Sequence, residues 1–238
     1  MGKTIPIRLL NGSANFQTRP TSTFAPEQIA FPVLSFFTGG GFLDLGLQQA
    51  GFPIVWSLEK EPQFCHAHDS GMQSLFRAKR PGTKPPVISC PGEDIRKKGP
   101  SEIRRQAFGV RSKGDDRFGM VGGPPCPDFS VGGKNKGFAG NRGQLTQVFI
   151  ERICELEPSF FLIENVKGLI STKAHRDFLD EELRKLEEKG YAVDLAVLNA
   201  LEVGVPQDRE RVFIVGVKRT FERKTYGVQI RKLARQLC

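Results

Sequence analysis

One cysteine in a loop rich in glycine and proline is the first candidate for chemistry in this sequence. Cys126 lies between Pro125 and Pro127, shortly after the apolar run 118–121. A proline on each side fixes backbone angles and removes amide donors, which favours a side chain held still in a cleft. A thiolate is a nucleophile, so Cys126 is a candidate for covalent catalysis. The alternative is a small apolar residue of an ordinary loop.

A glycine turn and a carboxylate form a second candidate, for binding a ligand that carries a ribose. The turn Gly39–Gly41 follows an apolar run, and Glu59 ends the next such run, 18 residues after Gly41. Residues without a Cβ let a ligand approach the backbone, and a carboxylate at this spacing is typical of one that grips ribose hydroxyls. The full dinucleotide motif is missing because Asp44 stands in place of a third glycine, so the pattern fits NAD, FAD and S-adenosylmethionine (AdoMet) alike. The alternative is a plain tight turn that binds no ligand.

Charged residues in two later segments are further candidates. Glu164 ends the apolar run 159–163, where a carboxylate is costly unless it is paired or functional. Gln207, Arg209 and Arg211 alternate with two acidic residues, so in an extended segment they share one face. The alternatives are a carboxylate at a helix N-terminus and a solvated strand edge.

The hydrophobic pattern predicts the elements that position these residues. It favours strands at 32–37, 54–58, 87–88, 118–121, 159–163, 191–198 and 211–217, and helices at 43–50, from Pro62, at 145–156 and at 178–186. Such alternation is typical of an α/β fold, a doubly wound, mostly parallel sheet with helices on both faces. The glycine turn and the candidate residues at 59, 126 and 164 each follow a predicted strand. We therefore expect them to gather along one edge of the sheet.

Charge and length divide the chain into three predicted parts. Residues 1–32 are polar and proline-spaced and form an N-terminal arm, residues 33–217 form the single main domain, and residues 218–238 form a basic tail. The tail has seven Lys or Arg residues and one Glu, so it carries six of the nine net positive charges. We interpret it as a contact for a polyanion or a partner, or as a solvated end.

Several classes of protein are disfavoured by composition. The five cysteines form no C-x-x-C pair, which argues against a disulfide framework and against a zinc site. No apolar run approaches the length of a membrane span, and residues 1–8 lack the apolar core of a signal peptide. We expect a cytoplasmic protein without a metal, or a nuclear one in a eukaryote.

Taken in order, the motifs resemble the DNA (cytosine-5) methyltransferase family over residues 33–217. The matching stretches are Phe37–Gly41, Gly123–Cys126, Phe129–Ser130, Gly133–Lys134, Arg142–Leu145, Glu164–Val166, Val197–Ala200 and Gly204–Val212. The resemblance implies the Rossmann-like fold of AdoMet-dependent methyltransferases, AdoMet as cofactor, double-stranded DNA as substrate and a restriction–modification setting.

The resemblance also implies a role for each candidate residue. Cys126 would add to carbon 6 of a flipped cytosine, Glu164 would contact the exocyclic amine and ring nitrogen 3, and Arg211, with Arg209 beside it, would orient the base. The implied AdoMet-binding residues are Phe37, Thr38, Gly39, Gly41, Glu59, Asp94, Ile95 and Pro125.

The sequence departs from the family after Arg211, where a target-recognition domain and a last AdoMet-pocket segment usually follow. A second subunit could supply both, the chain could be truncated, or it could be a degenerate relative. Because every catalytic position is intact, we favour a partner or a truncation. A non-catalytic module that binds DNA or a partner, and a tRNA cytosine methyltransferase, are the alternative functions.

Overall fold

The computed structural model describes residues 7–9, 31–79, 92–109, 117–125 and 144–222. Its strands are β1 (Ile7–Leu9), β2 (Val33–Phe36), β3 (Ile54–Leu58), β4 (Gly119–Gly122), β5 (Phe160–Val166), β6 (Tyr191–Asn199) and β7 (Glu210–Lys218). Its helices are α1 (Phe42–Gln49), α2 (Pro62–Lys79), α3 (Pro100–Phe108), α4 (Gln144–Leu156), α5 (Lys173–Glu188) and α6 (Arg219–Glu222). Cys126 and the strand predicted at 87–88 lie outside the described residues.

All seven strands form one sheet in the order β1-β6-β7-β5-β4-β2-β3. Every neighbouring pair is parallel except the two pairs that involve β7, which runs antiparallel to β5 and β6. The prediction of a doubly wound, mostly parallel α/β sheet is confirmed. The chain order reverses between β2 and β4, which is the position where such sheets bind ligands.

Strand bounds follow the prediction closely except at β5. The strand predicted at 159–163 continues to Val166, because β7 pairs with it residue by residue as far as Val166 opposite Arg211. Glu164 therefore lies inside the strand, opposite Phe213, and not beyond its end as the sequence suggested. The three residues of β1 pair with β6 at the sheet edge, within the segment predicted as an arm.

Two hydrophobic clusters cover the two faces of the sheet. One joins Leu34 and Phe36 of β2 to buried residues of α3, α4 and α5, and the other joins Val33 to Leu47 of α1 and Met72 of α2. Successive residues of β2 enter opposite clusters because strand side chains alternate between faces. Helices thus cover both faces of the sheet, so the strand ends are the part of it that a ligand can reach.

Substitution of Gly119 in β4 tests how tightly the side chains pack against this sheet. A Cβ added at Gly119 would lie 2.2 Å from the Phe160 ring, whereas one added at Gly46 of α1 would meet nothing within 4 Å. We expect Gly119→Ala to lower the free energy of unfolding by about 1–3 kcal/mol, because the ring is confined between packed elements. Gly46→Ala is the control and should raise it by up to about 1 kcal/mol through helix propensity. Urea denaturation measures both; equal effects would contradict the packing described.

Candidate active site

The candidate residues gather along one edge of the sheet. The carboxyl ends of β2, β3, β4 and β5 lie there, and the reversed direction of β7 brings its first residues to the same edge. The glycine turn follows β2, Glu59 follows β3, Pro125 comes three residues after β4, and Arg211 is the second residue of β7. The residues at this edge form two groups: one lines a cavity, and the other is an ion pair.

A cavity of about 590 Å³ opens between the ends of β2, β3 and β4. Six of the eight residues predicted to bind AdoMet line it: Phe37, Gly39, Glu59, Asp94, Ile95 and Pro125. Leu145, the end of a stretch that resembles the family, also lines it, and so do Phe64 and Arg96, to which the sequence analysis gave no role. Thr38 and Gly41 do not line the cavity and belong to the turn beside it.

Glu59 fastens the glycine turn to the end of β3. One carboxylate oxygen accepts the backbone N–H of Gly39 at 2.8 Å, and the other accepts those of Lys60 and Glu61 at 2.7 and 3.0 Å. Since a carboxylate offers about four acceptor positions, it keeps capacity for a ligand hydroxyl. Among the described residues, the buried hydroxyl of Thr38 in the turn has no hydrogen-bond partner.

Asp94 is held as an anion at the cavity wall. The Arg96 guanidinium donates to its carboxylate at 2.9 and 2.5 Å, and Lys60 Nζ lies 4.0 Å away. The hydrogen bonds from Arg96 are the main cause that lowers the pKa of Asp94 to about 2. The lowered pKa means that this charge is stabilising above the ordinary value of 3.8 and is lost only as pH falls through about 2.

Removing Arg96 should restore an ordinary titration to Asp94. In Arg96→Met we expect the pKa of Asp94 to rise from about 2 towards 3.8, because the largest stabilising contact is gone. Carbon-detected NMR of the side-chain carboxyl measures this shift. Arg105→Met, at an exposed position of α3, is the matched control and should leave Asp94 unchanged. An unchanged pKa in Arg96→Met would contradict the assignment of the cause.

Glu164 and Arg211 form an ion pair across β5 and β7. Arg211 Nε lies 3.0 Å from Glu164 Oε1, and Arg211 Nη1 donates to the Glu210 carbonyl at 2.7 Å. The two residues are diagonal neighbours on one face of the antiparallel ladder, so the register sets their contact. The Glu164 side chain is 30% exposed, so it is paired yet open to a ligand.

The segment that leads to Cys126 passes directly beside this pair. A Cβ added at Gly123 would lie 3.1 Å from Glu164 Oε2. The buried amide of Asn165 donates to the Pro124 carbonyl at 3.3 Å and accepts the Val166 N–H at 2.8 Å. Asn165, to which the sequence analysis gave no role, thus anchors the segment that enters the cysteine loop.

Arg209 is placed differently from Arg211. It is exposed, and its backbone N–H donates to Asn199 Oδ1 at 3.3 Å in the turn before β7. The structure therefore brings only one of the two predicted arginines, Arg211, into the ion pair with Glu164.

Within the described ranges, no helix could span a membrane, and no three His, Cys, Asp or Glu side chains are grouped to hold a metal ion.

Comparison with known proteins shows the family. A profile of the C-5 cytosine-specific DNA methylases matches residues 31–236. This chain belongs to that family. The methyl donor of the family is AdoMet, which agrees with a cavity built beside a glycine turn and Glu59.

Two curated relatives support this assignment. The chain is 36% identical to the type II methyltransferase M.NmeDI of Neisseria meningitidis over 214 residues, 89% of this chain and 49% of that protein. It is 36% identical to M.AquIA of Picosynechococcus over 191 residues, 77% of this chain and 71% of that protein. The chain spans about half the length of M.NmeDI and of M.FnuDI, of which it covers 47%.

Solved structures share the fold. A prophage protein of E. coli, assigned as a DNA modification methyltransferase, superposes with a TM-score of 0.62 at 26% identity, over 81% of this chain and 48% of that one. The Entamoeba histolytica methyltransferase EhMeth superposes with a TM-score of 0.57 at 14% identity, over 80% and 53% of the two chains, and shows the fold alone.

Proposed function

We propose that this methylase chain transfers a methyl group from AdoMet to carbon 5 of cytosine in double-stranded DNA. The observation that carries the proposal is the Glu164–Arg211 ion pair, which lies beside the segment entering the Cys126 loop. The ion pair proposed to bind the base and the cavity proposed to bind the cofactor then share one edge of the sheet, with Pro125 as the last described residue before Cys126.

The residues around the cavity fit AdoMet by their chemistry. Glu59 would accept the ribose hydroxyls at the end of β3, beside the glycine turn. Asp94 would accept from the adenine amine as a stable anion, with Ile95 against the ring. A bound AdoMet would supply an electrophilic methyl group, and these residues would hold it at the carboxyl ends of β2, β3 and β4.

The proposed chemistry of the base begins with the Cys126 thiolate. It adds to carbon 6 of a flipped cytosine, and the electron pair of the broken ring double bond makes carbon 5 nucleophilic. Glu164 would take a proton from solvent as the base binds and then hydrogen bond ring nitrogen 3, which stabilises the adduct, while Arg211 would orient the base. Carbon 5 would take the methyl group and S-adenosylhomocysteine would leave. Carbon 5 would then lose its proton to water, and the electron pair would re-form the ring double bond as the thiolate leaves carbon 6.

Two substitutions test the assigned roles. Cys126→Ser should abolish transfer of labelled methyl to DNA, and Glu164→Gln should lower the rate by about 100-fold or more, because an amide cannot donate a proton. Both should still bind AdoMet. Cys154→Ser, at a half-buried site on α4, is the control for Cys126 and should keep full activity. DNA that contains 5-fluorocytosine should be trapped covalently on Cys126, since carbon 5 then has no proton to lose; trapping elsewhere would refute the nucleophile.

We further propose a partner for this chain, in a cytoplasmic setting. Leu201, Val203 and Val205 are large apolar side chains that are 44–54% exposed just before β7. Exposed apolar groups beside a site favour a protein contact. The partner we propose is a second polypeptide that carries a target-recognition domain and covers these apolar side chains.

The partner proposal predicts cooperative binding. The isolated chain should bind AdoMet weakly, and the polypeptide encoded by the adjoining reading frame should lower the Kd by about tenfold, because it completes the pocket. Isothermal titration calorimetry of the chain with and without that polypeptide measures this. Full DNA methylation by the chain alone would refute the dependence.

A further inference from the structure

Three buried polar side chains form a hydrogen-bonded chain beneath the glycine turn. Ser35 Oγ of β2 donates to Asp44 Oδ1 of α1 at 2.6 Å, and His68 Nε2 of α2 lies 2.8 Å from Asp44 Oδ2. Their exposed fractions are 1%, 1% and 0%. Buried polar groups are costly unless they are paired, so this chain ties β2, α1 and α2 to one another at a fixed distance.

His68 also touches the turn itself. A Cβ added at Gly41 would lie 2.8 Å from His68 Cδ2, so the imidazole edge packs against the backbone of Gly41. Gly41 has a φ of 84° and donates its N–H to the Thr38 carbonyl at 2.9 Å, which closes the turn. Glu59 holds the same turn through the N–H of Gly39. The imidazole therefore supports the turn that borders the cavity.

The charge of this imidazole depends on pH in a defined direction. Burial lowers the pKa of His68, but the hydrogen bond and charge of Asp44, helped by Asp69 with its carboxylate oxygen 3.6 Å from Nδ1, outweigh burial and raise it above 6.5. Asp44 and Asp69 are the titratable groups that face it from α1 and α2, and Ser35 faces the pair from β2. A raised pKa means that the ion pair is fully formed below 6.5 and is lost as pH rises through the raised value.

We propose that His68 is a positioning residue for AdoMet, which as an imidazolium paired with Asp44 holds the glycine turn in its binding shape. The inference rests on the proposed AdoMet binding. When His68 loses its proton, the Asp44 carboxylate stays buried without a cation, the support under Gly41 weakens, and the affinity for AdoMet falls.

Proton NMR of the full chain tests the coupling without relying on activity. The chain has three histidines, and the variants His66→Gln and His175→Gln identify the His68 ring signal by elimination. Binding and protonation are linked reciprocally, so saturating AdoMet should move the titration of His68 to higher pH. The exposed His66 lies on the same helix and should not shift. An unchanged His68 titration in the presence of bound AdoMet overturns the proposal.

Calorimetry from pH 6 to pH 9 gives a second measurement. We expect the Kd for AdoMet to rise at least about fivefold across the titration of His68 in the unmodified chain and in His66→Gln. His68→Gln keeps a hydrogen-bond donor for Asp44 without a titratable proton, so its Kd should change little with pH. Equal pH dependence in His68→Gln and His66→Gln overturns this inference alone, whereas no AdoMet binding at any pH overturns the proposed function and this inference with it.

Discussion

The direction of β7 is the constraint on which the site depends. In a wholly parallel sheet, Arg211 at the start of β7 would lie at the edge opposite to Glu164. Because β7 runs antiparallel between β5 and β6, its first residues meet the carboxyl end of β5 and the ion pair forms. The register, which places Val166 opposite Arg211, then sets the diagonal contact. One reversed strand thus allows a site to draw on five strands at a single edge.

Much of this fold could be predicted because its central strands are largely apolar, and β2 and β4 are buried throughout. Ile54–Leu58 has the predicted bounds, and α2 begins at Pro62 as predicted. Helix α3 was missed because its only fully buried residue is Ile103, which leaves no apolar stripe to read. The end of β5 was misplaced because Glu164 and Asn165 are polar, and only their pairing with β7 makes them part of a strand.

The sequence analysis named residues of the candidate site but not the contacts between them. Spacing places Glu59 near the glycine turn, but no pattern shows that its carboxylate binds the Gly39 N–H. The charge state of Asp94 depends on Arg96, a residue that looks like surface in the sequence. Ser35 was a usable signal, since a hydroxyl within a continuous apolar strand requires a buried partner, and that partner is Asp44.

The central place of β7 in the sheet also bears on how the chain is made. Strand β7 is the last strand in the described sequence, yet it lies between β5 and β6. Until it emerges from the ribosome, the unit β5-β4-β2-β3 and the unit β1-β6 each present an unpaired strand edge, which is prone to association with other chains. Glu164 then has no Arg211 beside it, so the ion pair is assembled only in the final step of sheet formation.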